Sequence, residues 1–280
     1  MDSHDLVIFK HAAELKSISK AADRLGYVQP NVSQKIKNLE VELGVKLFTR
    51  NNRGVTLTAQ GELLLDYANQ IIHLIDEAKS TINPTKWRES LTIGATQTIS
   101  AVKVPQLFSS FMRLNDNVNL KIKTSTRQNL LDMLSNGEID GLFLNESNIH
   151  SQFEVVYSYI EKVVLISPFQ IETGKKQNQT LIVNTDPNCI YRDQTLTYFN
   201  QSAAEQFNIM EFDSLEAILH AVNNGLGASI LPKDLINNNR EVDTLYYHEL
   251  SERVQIDFII KNRKEKSKSL RNFIHHLHNS

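Results

Sequence analysis

The chain has 280 residues, 41% of them hydrophobic and 22% charged, with a formal net charge of −2, which is typical of a globular protein with two or three modest domains. Its single cysteine, Cys189, excludes an intramolecular disulfide and favours a reducing, cytoplasmic location. The N-terminus has no basic segment before an apolar one, and no stretch approaches ~20 consecutive apolar residues, so we expect no signal peptide, membrane span or membrane partner.

Residues 1–43 predict three short helices. The first carries Leu6, Phe9 and Ala13 at helical spacing, and the second extends from about residue 19 to residue 25, with Ser17 or Ser19 as its N-cap. The third begins at residues 29–30, because a proline suits the first turn of a helix. Its apolar residues share one face that we expect to be core, namely Val32, Ile36, Leu39 and Leu43.

The second and third helices have the spacing of a helix-turn-helix, which presents its second helix to the DNA major groove. Amide, hydroxyl and ammonium groups cover the other faces of this helix, and such groups bind base edges and phosphates. Residues 1–60 hold nine Lys and Arg against six Asp and Glu, an excess that suits a DNA contact. Lys35 and Lys37 could equally be solvated charges. The candidate DNA-binding residues are Ser19, Lys20, Gln29, Pro30, Asn31, Ser33, Gln34, Lys35, Lys37, Asn38, Arg50 and Arg53.

A hairpin and a long helix are predicted next. Extended runs at residues 45–48 and 55–58 flank an Asn/Gly turn, where Arg50 and Arg53 can neutralise phosphates. The long helix runs from residue 59 to about residue 82 and ends at an Asn-Pro pair. Its apolar stripe is longer than the small head can cover, which favours a dimer seam over packing on its own domain. The stripe comprises Leu63, Leu64, Tyr67, Ile71, Leu74, Ile75 and Ala78.

From residue 90 onward, short strands alternate with helices, which predicts a parallel α/β architecture. The strand-like runs are residues 91–94, 118–124, 139–144 and 163–166, and the helical runs are residues 104–114 and 130–134. The same alternation recurs from about residue 180 to residue 260, which indicates a second α/β lobe. A last amphipathic helix is expected at about residues 267–278.

The N-terminal pattern closely resembles that of the LysR-type transcriptional regulators. The matching residues are those at positions 19–25, 29–33, 36, 39–40, 43–44, 47–48, 50, 53 and 57–58. Val28 departs from the family pattern, which usually has Ser or Thr there as an N-cap, so the capping hydrogen bond of the third helix is in doubt. A weaker resemblance extends into the regulatory region. A turn and strand of the family's first regulatory lobe are matched by residues 134 and 137–140, and a turn and strand of its second lobe are matched by residues 225–232.

The resemblance implies a winged helix-turn-helix domain at residues 1–58, all-α apart from its wing, and a linker or dimerisation helix at residues 59–89. It implies an α/β regulatory region of two periplasmic-binding-protein-like lobes, at residues 90–162 plus 263–280 and at residues 163–262. It further implies sequence-specific binding of double-stranded DNA, a small-molecule inducer between the lobes, and a homotetramer, a dimer of dimers, that bends DNA.

Three segments follow predicted strands near helix N-termini, where open α/β sheets bind ligands. Hydroxyl and free backbone N–H groups in these segments favour an anionic or carboxylate effector. Each threonine could instead be a helix cap, and Arg192 could pair with a surface acid. The candidate effector-binding residues are Thr96, Gln97, Thr98, Ile99, Ser125, Thr126, Asn184 and Arg192.

The sequence leaves three functions to compare: an effector-responsive regulator, a ligand-independent repressor or architectural DNA binder, and an enzyme with a regulatory head. It has no nucleophile elbow, phosphate loop, dinucleotide fingerprint or paired-histidine zinc motif, so we expect no enzyme, no cofactor and no metal site. Cys189 could be a redox sensor but is favoured as a small buried hydrophobe. His275 and His278 could share a metal, although a solvated helix end is favoured.

Overall fold

The computed structural model describes residues 1–51, 54–83, 87–101, 103–145, 149–170, 180–199, 207–237, 245–262 and 266–280. The chain divides into two compact units. The first comprises Met1–Ser90 with Ser135–Glu138, and the second comprises Leu91–Leu134 with Ile139–Ser280. In the described ranges, no helix is long and apolar enough to span a membrane.

Three helices open the first unit: α1 (Ser3–Glu14), α2 (Ile18–Leu25) and α3 (Gln29–Leu43). The hydroxyl of Ser17 accepts from the Lys20 N–H at 3.3 Å, so Ser17 rather than Ser19 is the N-cap of α2. Val28 makes no side-chain cap at the start of α3. Both α2 and α3 end at a glycine in the left-handed conformation, where a side chain would be strained.

The wing is the antiparallel hairpin of β1 (Phe48–Asn51) and β2 (Gly54–Leu57). Strand β1 begins later than the extended run expected at residues 45–48. Arg50 therefore lies within β1, opposite Val55, and not in the turn. Arg53, the other expected phosphate contact, lies outside the described residues.

Helix α4 (Ala59–Ile82) begins after Thr58, whose hydroxyl accepts from the Gly61 N–H at 3.0 Å. Its expected apolar stripe is divided between two faces. Ala68 is fully buried in the core of the unit, and Leu64, Leu65, Ile71 and Ile72 pack against that core. A second face is exposed, with exposed fractions of 58% for Leu63, 56% for Tyr67 and 56% for Leu74. Part of the helix thus packs on its own unit, and the rest presents apolar surface to solvent.

The elements that follow α4 are, in chain order, β3 (Glu89–Ala95), α5 (Gln97–Ser100), α6 (Val104–Leu114), β4 (Val118–Thr124), α7 (Arg127–Ser135), β5 (Gly141–Leu144), β6 (Phe153–Ser167), β7 (Thr180–Asn184), α8 (Ile190–Phe199), β8 (Asn208–Phe212), α9 (Leu215–Asn223), β9 (Ser229–Pro232), α10 (Lys233–Asn237), β10 (Tyr246–Lys261) and α11 (Lys268–His278). Six strands form one sheet in the order β4-β3-β5-β10-β6-β9, and β7 pairs with β8 in a second sheet. The alternation of helices and strands expected from the sequence is present.

Two long antiparallel strands, β6 and β10, run through both halves of the second unit. One half of the pair lies beside β5, and the other half lies beside β9. We call the half that contains β3, β4 and β5 the first lobe, and the half that contains β7, β8 and β9 the second lobe. The six-stranded sheet is therefore mixed, with parallel and antiparallel neighbours. The pairs β3–β5 and β7–β8 are parallel, but β10 is antiparallel to both β5 and β6.

Strand pairing also departs from the expected lobe boundary at residue 262. Asp257, Phe258 and Ile259 pair with Leu144, Phe143 and Leu142 of β5, so this part of β10 belongs with the first lobe. The register of β10 against β6 shifts between Glu249 and Arg253, where three residues of β10 lie opposite Val163. The chain therefore returns to the first lobe near residues 250–252, because the two halves of β10 pair with different neighbours.

Candidate functional site

The residues expected to bind DNA lie mainly on the outer surface of α2 and α3. The core face of α3 is buried at Val32, Ile36 and Leu39. Leu43 was expected on the same face, but it is 38% exposed and does not belong to the core. Ser33 and Lys35 are half-buried. The exposed candidates are Ser19, Lys20, Gln29, Pro30, Asn31, Gln34, Lys37, Asn38 and Arg50. This surface is polar and donor-rich, as major-groove binding requires.

Three candidates on α3 already have partners within the protein. The Lys35 ammonium lies 2.9 Å from the Asp5 carboxylate of α1, and this hydrogen bond raises the pKa of Lys35. Gln34 Nε2 donates to Asn38 Oδ1 at 2.8 Å. Because these side chains are four residues apart on one face, the bond orients both amides along the helix. Lys35 thus helps to hold α3 against α1.

Glu40 joins α3 to the wing, a role that the sequence analysis missed. Its carboxylate is buried and accepts from the backbone N–H groups of Leu47 at 2.9 Å and Phe48 at 3.3 Å. The Lys46 ammonium donates to its other oxygen at 3.0 Å. Burial alone would raise the pKa of Glu40, but these three hydrogen bonds outweigh it and lower the pKa. A carboxylate four residues after buried Ile36 was the available signal.

The second unit contains a cavity of about 300 Å³ between its two lobes. The first lobe contributes Thr96, Gln97, Thr98, Ile99, Thr124, Ser125, Thr126, Arg127, Leu144 and Asn145. The second lobe contributes Asn184, Thr185, Asp186, Asn188, Cys189, Ile190, Tyr191 and Asp213. A cavity of this volume with mostly polar side chains is of a size that holds a small molecule.

All the candidate effector residues line this cavity except Arg192. The Arg192 guanidinium donates at 2.6 Å to the backbone carbonyl of Asn184 and at 2.6 Å to the Glu211 carboxylate of β8. Arg192 therefore pairs with an acid inside the second lobe, which is one of the two roles that the sequence left open for it. Three charged residues also line the cavity: Arg127 and Asp186, which lie in the expected segments but were not chosen as candidates, and Asp213, which the sequence analysis missed.

Two polar side chains in the cavity wall are almost fully buried. Thr98 is 6% exposed, and its hydroxyl lies 3.7 Å from the Cys189 thiol of the second lobe. Asn184 is 9% exposed, and its Oδ1 accepts from the Asp186 N–H at 2.8 Å. Both residues were expected from strand ends near helix N-termini, and the structure brings them to one cavity.

A buried carboxyl lies behind the wall formed by Tyr191. Glu161 of β6 accepts hydrogen bonds from the hydroxyls of Tyr191 and Tyr159. Burial raises the pKa of Glu161, and it also raises the pKa of both tyrosines. The Lys103 ammonium lies 4.6 Å from the centre of the Tyr159 ring. This polar cluster connects the cavity wall to a strand shared by both lobes.

The C-terminal histidines have contacts of their own. His276 Nε2 lies 2.7 Å from the Ser110 hydroxyl, and the rings of His278 and Tyr157 meet edge to face. Across the ranges that the structure describes, no group of three or more His, Cys, Asp or Glu residues is placed to hold a metal ion. His275 bonds to Asn279, the residue that follows the last residue of its own helix.

A winged helix-turn-helix, a long helix and a two-lobed α/β region with a cavity define a class of DNA-binding regulators that contain a ligand-binding region. Residues 3–62 match the family model "Bacterial regulatory helix-turn-helix protein, lysR family", and residues 85–280 match the model "LysR substrate binding domain". The chain belongs to the LysR family of transcriptional regulators. It is accordingly a DNA-binding transcription regulator with a substrate-binding domain.

Relatives match over nearly the whole chain. The uncharacterized HTH-type transcriptional regulator YusT of Bacillus subtilis is 37% identical over 278 residues, which covers 98% of this chain and 94% of the relative. The HTH-type transcriptional regulator YofA of the same organism is 33% identical, with coverages of 95% and 93%.

Solved structures share the fold. A full-length OxyR variant from Pseudomonas aeruginosa gives a TM-score of 0.73 at 22% identity, covering 99% of this chain and 94% of that one. Full-length CbnR complexed with its target DNA gives a TM-score of 0.73 at 20% identity, with coverages of 100% and 99%. Their sequences are distant, so these likenesses concern the fold alone.

Proposed function

We propose that this regulator reads a specific DNA site with α3 and its wing, and that a small molecule in the inter-lobe cavity controls the DNA-bound assembly. The observation that carries the proposal is the cavity itself, because its walls come from two lobes that share β6 and β10. A ligand that contacts both walls favours one arrangement of the lobes over another. The relatives are transcriptional regulators, and we assign no catalytic residue.

The decisive experiment is a footprint of the full-length protein on its promoter, repeated with a panel of small metabolites. We expect at least one compound to change the extent of the protected region, because a change of assembly alters DNA bending. A ligand-independent repressor would give the same footprint with every compound, and no compound would stabilise the protein against heat.

On DNA, we propose that α3 contacts the bases and that the wing contacts the phosphate backbone. The amides of Asn31, Gln34 and Asn38 suit adenine edges, and Lys37 suits guanine. Arg50 suits a phosphate, because it is an exposed cation in a strand beside α3. The remaining contacts are proposed for Ser19, Lys20, Gln29, Pro30, Ser33, Lys35 and Arg53.

Removing a base-reading amide and removing a phosphate-binding cation should have different effects. Gln34→Ala is expected to relax the preference for one base pair by about 1–3 kcal/mol. Arg50→Ala is expected to weaken binding to all sequences alike and to lower the slope of log K against log salt by about 0.9. Fluorescence anisotropy with matched and mismatched duplexes at several salt concentrations measures both.

Arg113→Ala is the matched control, since it removes one exposed arginine from the second unit. It should leave both quantities unchanged. Equal losses for Arg50→Ala and Arg113→Ala, or an unchanged base preference for Gln34→Ala, would contradict the proposed roles.

A bulky side chain in the cavity should separate effector response from DNA binding. Thr126→Phe is expected to abolish any ligand-dependent change in the footprint and to leave promoter affinity within about twofold, because Thr126 is exposed in the cavity wall and not part of the core. Thr197→Phe, on the exposed surface of α8, is the control and should keep the response. Loss of promoter binding by Thr126→Phe would count against a separate effector site.

For assembly, we propose a dimer through the exposed apolar face of α4, at Leu63, Tyr67 and Leu74, and a dimer of dimers on DNA in the cytoplasm. Two recognition helices of one dimer would enter successive major grooves about 34–36 Å apart. The α4 face supports the first contact, since large apolar side chains are otherwise costly to expose.

A further inference from the structure

The charged side chains of the inter-lobe cavity are segregated by sign. Among the described lining residues, the wall from the first lobe carries Arg127 and no carboxylate. The opposite wall carries Asp186 and Asp213 and no Lys or Arg, because Arg192 is turned away toward Glu211. A purely anionic ligand would therefore meet two carboxylates on one side.

The two carboxylates are not equivalent. Asp186 Oδ1 accepts from the Asn188 N–H at 2.9 Å, so this side chain already closes a local turn. In the described part of the chain, no group donates to the Asp213 carboxylate. Asp213 directly follows β8, whose last residue pairs with Asn184 at the end of β7. It therefore lies at the sheet edge where α/β folds bind ligands.

The same cavity presents donors that are nearly buried and not fully used. Thr98 is only 6% exposed, and among described residues the partner of its hydroxyl is the Cys189 thiol, a weak hydrogen-bonding group. Asn184 uses its Oδ1 on the Asp186 N–H, and no described group accepts from its Nδ2. Both residues line the cavity, so their donor groups are available to an acceptor that a ligand supplies there.

We propose that the effector is a small zwitterion of the α-amino-acid type. Its carboxylate accepts from Thr98 and Asn184 and faces Arg127, and its ammonium group donates to Asp213. A molecule with both charges suits both walls, since its anionic group can lie on the side of Arg127 and its cationic group on the side of the two carboxylates. This inference rests on the proposed function of the cavity as the effector site.

The test is a thermal-unfolding screen of the full-length protein at fixed pH and salt. The panel contains the common L-amino acids, each beside the hydroxy acid that lacks the ammonium group and the amine that lacks the carboxylate. We expect one amino acid, or a group of similar ones, to raise the Tm, and its two truncated analogues to give no shift at the same concentration. Titration calorimetry then gives the Kd of the amino acid found.

The matched variants are Asp213→Asn in the cavity and Asp193→Asn on the exposed surface of α8. Asp213→Asn is expected to weaken amino-acid binding at least tenfold and to reduce the preference over the hydroxy acid. Asp193→Asn should change neither. The Tm of each unliganded variant shows that folding is intact.

The possible failures are distinct. If a hydroxy acid binds as well as its amino acid, or Asp213→Asn leaves the Kd unchanged, the zwitterion proposal is wrong and the cavity remains an effector site. An amine that binds without a carboxylate would overturn the proposal equally. If neither this panel nor the wider metabolite panel produces any shift or footprint change, the effector function of the cavity is itself wrong.

Discussion

Glu40→Ala is expected to destabilise the first unit by about 2–4 kcal/mol and to weaken promoter binding accordingly. The variant leaves the N–H groups of Leu47 and Phe48 without their acceptor in a buried setting, and it removes the partner of Lys46. The start of the wing then loses its attachment to α3. Urea unfolding of the full-length protein measures the stability, and amide hydrogen exchange at Leu47 reports the local bond.

Two variants control for this result. Glu40→Gln keeps an acceptor for the backbone and should cost about 1 kcal/mol. Glu62→Ala removes an exposed glutamate from α4 and should stay within about 0.5 kcal/mol of the parent. If Glu40→Ala were as stable as Glu62→Ala, the carboxylate would not hold the wing.

The contribution of the Glu40 carboxylate to stability should decrease at acid pH. The folded pKa of Glu40 lies below its unfolded value, which is about 4.3. The stabilisation is therefore fully present above the unfolded pKa and is lost as the pH falls through the folded pKa. Glu40→Gln should flatten this acid-side loss, which unfolding measured from pH 6 to about pH 3 would show.

Tyr191→Phe is expected to destabilise the second unit by about 2 kcal/mol, the cost of leaving a buried carboxylate with one fewer donor. Glu161 then keeps the Tyr159 hydroxyl, at 3.3 Å, as its remaining described donor. The phenyl ring still fills the volume of the tyrosine ring, so the loss reports the hydrogen bond and not a void. Thermal unfolding at neutral pH measures it.

The pKa of Glu161 is shifted in the opposite direction to that of Glu40, so its effect on stability changes with pH in the opposite way. Burial raises its folded pKa above the unfolded value, so the folded state holds the proton more tightly. Stability is highest below the unfolded pKa of about 4.3, decreases as the pH rises toward the folded pKa, and then stays at that lower level.

Glu161→Gln therefore should raise the stability of the second unit at pH 8 relative to the parent and remove this slope. Glu216→Gln, on the exposed surface of α9, is the control and should preserve it. A Glu161→Gln variant that was less stable than the parent at pH 8 would show that the carboxylate is a net stabiliser there, contrary to this account.

Local signals were sufficient for much of the first unit and of the first lobe. Proline in the first turn and glycine at the end predicted α3, and the Thr58 cap and Asn83 delimit α4 as expected. The structure also gives α6 and β4 the bounds expected at residues 104–114 and 118–124. In these segments, hydrophobic periodicity and capping residues agree with tertiary packing.

The long strands could not be predicted, because each passes through two environments. The apolar run at residues 163–166 is a clear strand, but residues 153–162 of the same strand alternate irregularly between buried and exposed. Their extended form is set by pairing with β10, which lies about a hundred positions away in sequence. The pairing of β10 with β5 could not be predicted for the same reason, since it is a tertiary property.

The cavity was predicted better on one wall than on the other. The first-lobe wall was predicted because hydroxyl-bearing residues directly follow two predicted strands there. Asp213 was missed because β8 is mostly exposed, so its apolar and polar residues do not alternate in a way that marks the strand end. The partner of Arg192 could not be named from the sequence, because Glu211, nineteen positions away, is brought to it by the parallel pairing of β7 with β8.

The shared strands constrain how the two lobes can move. The strands β6 and β10 are continuous through both lobes, so the lobes are not joined by a flexible linker. A rotation of one lobe against the other must therefore twist this two-stranded ribbon. The ladder is already interrupted at residues 250–252, opposite Val163, so twisting there breaks fewer hydrogen bonds than in a regular part of the pair. If a ligand changes the angle between the lobes, we therefore expect this two-stranded ribbon to twist rather than a flexible linker to bend.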